Sequence, residues 1–182
     1  MKTALLLIDL QNDYFEGGTM TLVNADKASE NARLVLDKFR NEDLTVIHIQ
    51  HIATNSGATF FLPDTLGAEI YKNVMPTGKE KVIVKHFPNS FLETELLSFL
   101  KENGITHLVI CGMMTHMCVD ATTRAAKDLG FNCTLIGDAC ATKNLEIHSE
   151  KVNANDVQNA FLAALNSTYA RVCTSKEFIS DF

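Results

Sequence analysis

The sequence has 182 residues, 46% of them hydrophobic and 21% charged, with 9 glycines and 3 prolines. That suits one domain, residues 1–182, with a core of its own, and excludes a disordered or low-complexity chain. Sixteen Lys and Arg against twenty-two Asp and Glu leave a formal charge of −6 without a basic run, so no nucleic-acid partner is expected.

In chain order, residues 4–8 (ALLLI) form the first short apolar run, and 26–40 follow with Ala28, Ala32, Val35, Leu36 and Phe39 on one helical face. Residues 45–49 (TVIHI) read as a second strand. Residues 53–81 are long, mixed and contain Pro63 and Pro76, a composition expected of a functional loop or lid. A third strand is read at 82–84 (VIV). A helix over 91–102 follows, with Leu92, Leu96, Leu97 and Leu100 on its stripe and Gly104 as stop signal. Residues 107–111 (HLVIC) read as a strand, 117–129 as a helix ended by Gly130, and 131–136 (FNCTLI) as a strand. The helix at 153–165 carries Val157, Ala160, Phe161, Ala164 and Leu165, and 169–173 (YARVC) reads as an edge strand. Runs apolar on both sides, alternating with amphipathic helices, predict an α/β fold: a doubly wound, mostly parallel six-stranded sheet with helices on both faces.

The five cysteines make no Cys-x-x-Cys pair and are odd in number, which argues against a disulfide scaffold or zinc ribbon and for a reducing cytoplasm. The apolar stretch at 4–8 is broken at once by Asp9. It is too short for a signal-peptide core, and no segment reaches the roughly 20 residues needed to span a bilayer; a cytoplasmic protein without membrane contact is expected. No dinucleotide or P-loop glycine motif is present, so no cofactor is expected.

Ligands collect at the carboxyl ends of strands in such sheets. There the sequence places Asp9 after the first strand, Lys85 after the third, and Cys118 beyond the fourth, in GMMTHMC. A helix start and a nearby ammonium favour a thiolate, and a carboxylate can accept its proton. Backbone N–H groups at the same helix start can hold an oxyanion. Gln11, Phe15, His51, Phe60, Asn89 and His116 are the expected pocket residues. Thr115 and Asp138 are read as structural, Lys143 and His148 as surface, Cys111, Cys133 and Cys173 as inert strand residues, and Cys140 as a loop cysteine whose role stays open.

Three separated segments, LLLIDLQNDYF, KHFPNSF and GMMTHMCVDATTRAA, followed by IGDACAT, resemble the isochorismatase-like cysteine hydrolase superfamily, with its nicotinamidases and N-carbamoylsarcosine amidases. The resemblance implies an Asp9–Lys85–Cys118 triad and a cis peptide at Met113–Met114. It also implies an oxyanion hole from the Met114 and Cys118 N–H groups, and a homodimer or homotetramer. Nicotinamidases carry an Asp-x-His metal motif where this chain reads Val46-Ile47-His48-Ile49-Gln50-His51; without the acid no metal is expected, His48 packing in the strand and His51 facing the pocket. The wording is closest to a metal-free branch with streptothricin hydrolase-like amidases. The expected activity is cysteine-dependent hydrolysis of a small-molecule amide through a thioester, with Asp9 also activating the hydrolytic water. Alternatives are vinyl ether hydrolysis of the isochorismatase type, a nicotinamidase, or a receiver-like signalling domain.

Overall fold

The computed structural model describes residues 2–181. Its main sheet holds six parallel strands in the order β3-β2-β1-β4-β5-β8: β1 (Thr3–Ile8), β2 (Thr45–His51), β3 (Lys81–Lys85), β4 (His107–Met113), β5 (Asn132–Ala141) and β8 (Arg171–Cys173). β1 lies at the centre because its apolar run can be covered on both faces, and Ala4 to Ile8 are all buried. The strand period of two sends Leu5 and Leu7 to one core and Ala4, Leu6 and Ile8 to the other.

On the first face, α1 (Ala25–Asn41) lays Ala28, Ala32, Val35, Leu36 and Phe39 against the sheet, with Phe178 of α5 (Ser175–Asp181) beside them. On the second, α2 (Leu96–Glu102), α3 (Asp120–Asp128) and α4 (Ala154–Thr168) contribute Leu96, Leu100, Ala126 and Leu165. Each such buried Leu contributes about 2 kcal/mol by removal of apolar area from water. Among the described residues no helix is long and apolar enough to cross a membrane.

Several boundaries differ from the sequence reading. The helix expected from 91 begins only at Leu96, because the Thr94 hydroxyl bonds the Ser90 carbonyl (2.6 Å) and Glu93 takes φ 55. Leu92, expected on the buried stripe, is exposed. The helix expected from 117 begins at Asp120, after one π-helical turn, Thr115–Val119. β5 runs on to Ala141, so Cys140 sits in a strand rather than a loop, and burial pushes its thiol up to about 12. Unread in the sequence are α5, whose start is held by Asp138 accepting from Ser175 N and Oγ (2.7 and 2.9 Å), and a small hairpin of β6 (Leu145–Ile147) and β7 (Glu150–Val152).

One close approach shapes the site. Gly112, opposite Ile8, takes φ +138, and a Cβ there would lie 2.0 Å from the Ile8 carbonyl oxygen. Only glycine lets β4 run this close to the end of β1, which brings the Met113–Met114 peptide, cis in the structure, beside Asp9's strand.

Candidate active site

Asp9 follows β1 in the left-handed region (φ 50), its N–H tied to the Ile49 carbonyl at 3.1 Å. Lys85 ends β3, paired in register with His51. Both side chains are fully buried, with Lys85 Nζ 2.8 Å from Asp9 Oδ2, and the ammonium also donates to the Pro88 carbonyl at 3.0 Å. Cys118 lies in the π-helical turn between β4 and α3. Its sulfur, the Asp9 carboxylate and a ring nitrogen of His51 lie within 4.8 Å of one another.

Burial in low dielectric acts on each charge. It pushes the Cys118 thiol up, and the Asp9 charge adds to the effect while Lys85 opposes it. Burial and the Asp9 charge thus work against the thiolate expected at a helix start, and Lys85 works for it. Burial alone would lower Lys85, but the Asp9 charge, with Cys118 adding to it when ionised, outweighs burial and holds the ammonium above its usual range. Tyr14 is pushed well up, by burial first and then by Cys118, Asp9 and Asp13, which places it at the same crevice.

Gln11, expected to contact substrate, is instead turned to the backbone. Its amide donates to the carbonyls of His51 and Ala68 (both 2.8 Å) and accepts from the His51 N–H at 2.7 Å, so three of its four hydrogen-bonding positions are taken by backbone. It positions His51, whose Nδ1 stands 3.8 Å from Asp9 Oδ2. His48 and His51 are three residues apart on a strand and so face opposite sides. His48 is buried against Glu80 (2.9 Å), and the two histidines do not converge on one ion. The trio of Asp9, His51 and Cys118 has mixed donors, but the Lys85 ammonium beside Asp9 opposes a further cation there.

The segment over 53–81 folds back onto the site. Asp13, which the sequence reading missed, accepts from Phe61 N at 2.6 Å and from Thr19 N and Oγ1 at 3.2 and 2.9 Å. It is Phe61, rather than Phe60, whose ring packs on His51 (centroids 5.8 Å) and edge-on to Tyr14 (4.7 Å). Phe60 instead lines an outer cavity of about 430 Å³ with Phe15, Leu66 and Tyr71, where Phe15 stacks on Tyr71.

Two further expected pocket residues are engaged by the protein itself. His116 bonds Thr142 Oγ1 (2.5 Å) and sits edge-on to Phe161, because the turn that carries it faces β5 and α4. Asn89 accepts from Phe91 N at 2.9 Å and closes the turn after β3. The residues that join that turn to α3 are Ser90 and Thr122, both buried, with Ser90 N 3.0 Å from Thr122 Oγ1. No local sequence signal marks either of them.

The carboxyl ends of β1, β3 and β4 thus bring a carboxylate, an ammonium and a thiol to one rim of a parallel α/β sheet. The chain belongs to the isochorismatase family: residues 3–177 match the isochorismatase domain. It is an isochorismatase-family hydrolase. It is 51% identical to YddQ of Bacillus subtilis, an uncharacterized isochorismatase family protein, over 98% of this chain and 99% of that one. A solved isochorismatase-family structure from Oleispira antarctica superposes with a TM-score of 0.95 at 46% identity, covering 98% of this chain and 96% of that one. The streptothricin hydrolase of Streptomyces noursei is 32% identical over 92% of this chain and 57% of its own. Nothing in these relatives supports a receiver-like signalling domain.

Proposed function

We propose that the protein is a cysteine-dependent amidase of small molecules, working through a thioester on Cys118 without a cofactor. The observation that carries this reading is the fully buried Asp9–Lys85 pair at 2.8 Å beside the Cys118 thiol. Asp9 takes the thiol proton as sulfur attacks the amide carbonyl, so the thiolate exists only while it reacts. Lys85 neutralises the negative charge that passes between sulfur and carboxylate. The Met114 and Cys118 N–H groups are the proposed donors to the tetrahedral oxyanion. Asp9 then returns the proton to the leaving amine, and water hydrolyses the thioester. The relationship to streptothricin hydrolase supports a hydrolytic reaction.

The test is amine or ammonia release from a panel of small amides by the wild type, Cys118→Ala and Asp9→Asn. Turnover by the wild type and loss of it in both variants supports the reading. Amide turnover that needs Asp9 but not Cys118 overturns it.

A further inference from the structure

We propose that His51, rather than Asp9, is the base that activates water for hydrolysis of the Cys118 thioester, an assignment that rests on the thioester reading above. Three observations converge on it. First, one buried side chain, Gln11, holds both backbone polar groups of His51 (2.7 and 2.8 Å), and Phe61 packs against its ring, so the imidazole is aimed from two sides. Second, its Nδ1 lies 3.8 Å from Asp9 Oδ2, too long for a hydrogen bond, and the ring takes no hydrogen bond among the described residues. A ring nitrogen within 4.8 Å of the Cys118 sulfur is thus left to bind a water. Third, Asp9 and Lys85 are fully buried and Cys118 is 4% exposed, whereas the His51 side chain is 17% exposed. Of the four groups, His51 is the one that water from solvent meets.

Asp9 is poorly suited to the second step. Its Oδ2 is held by the Lys85 ammonium at 2.8 Å, and the whole side chain is sealed from solvent. In the proposed step His51 takes one proton from water as the oxygen attacks the thioester carbonyl. The carbon–sulfur bond then breaks with its electron pair on sulfur. The proton held by His51 passes to that sulfur, so the free acid and the resting thiol are regenerated. Asp9 serves acylation and His51 deacylation.

The experiment uses p-nitrophenyl acetate as acylating probe, with turnover followed by p-nitrophenolate release and the protein mapped by mass spectrometry. His51→Gln is expected to turn over about 100-fold more slowly and to accumulate an acetyl group on Cys118 that the wild type does not retain. Free imidazole is expected to speed loss of that group from His51→Ala. Turnover within two-fold of wild type, or slow turnover with Cys118 unmodified, overturns the assignment. Cys118→Ala turning over at the wild-type rate overturns the thioester reading itself, and the two failures are told apart by which variant shows them.

Discussion

Asp9 and Lys85 come from the ends of different strands, face each other at 2.8 Å, and touch no solvent. Removing one partner leaves the other as an uncompensated buried charge. Lys85→Met is expected to lower unfolding stability by about 3–5 kcal/mol, read by urea denaturation. Asp9→Asn combined with Lys85→Met should recover part of that loss, because the pair rather than either side chain sets the cost. Equal losses in the single and double variants would contradict the pairing.

The same pair governs the thiol. With Cys118 pushed up by burial and by the Asp9 charge, its alkylation by iodoacetamide should keep rising through alkaline pH, without a plateau near neutrality. Asp9→Asn removes a charge that holds the thiol up, so it should alkylate faster at pH 8 while losing turnover. A neutral plateau in the wild type would mean a pre-formed thiolate.

Much of this arrangement is readable before any fold is known, for a physical reason. β1, β2 and β4 are apolar on both faces, and the residues after such strands form the rim of the sheet, so Asp9 and the turn that carries Cys118 follow from strand ends, while Lys85 ends the edge strand β3, whose short VIV run still marks it. The roles of Gln11, Asp13 and Phe61 do not follow, because they depend on where the segment over 53–81 folds back, a matter of tertiary contact rather than periodicity. The same holds for the π-helical turn: apolar spacing in 117–129 is satisfied by a helix from either start. α5 and the β6–β7 hairpin are too short to leave a periodic signal, and Asp138 holds α5 in place through contacts far apart in sequence.

Asp13 ties Phe61 over the site, and Gly67 lies directly against its carboxylate, where a Cβ would come within 2.2 Å of Oδ1. Asp13→Ala should cost about 1–3 kcal/mol by leaving the buried Phe61 N–H unpaired and should speed alkylation of Cys118 at a fixed pH. Gly67→Ala should do the same by displacing the carboxylate, and the double variant should be no worse than either single one. Additive losses would place the two residues in separate contacts.

A second buried network sets acid stability. Glu80 accepts from Arg40 Nε and Nη2 (2.7 and 2.8 Å), from Thr77 N (2.9 Å) and lies 2.9 Å from His48. Burial alone would raise its carboxyl, but the bonds from Arg40, Thr77 and His48 prevail and hold it at about 2. A carboxylate depressed in the folded state adds stability above its unfolded value of 4.5, and that stability is lost as pH falls from there towards 2. Glu80→Gln should remove about 2 kcal/mol at pH 7 and flatten the stability profile below pH 4.5. An unchanged slope of unfolding free energy against pH would contradict the assignment.

The most direct test of the nucleophile is rapid quenching of the enzyme during turnover of an amide found active in the panel, followed by peptide mapping. Expected is an acyl group on Cys118 that forms and decays at rates matching turnover and is absent in Asp9→Asn. An acyl group on any other residue, or full turnover by Cys118→Ala, would contradict the assignment of Cys118 as nucleophile and Asp9 as its base.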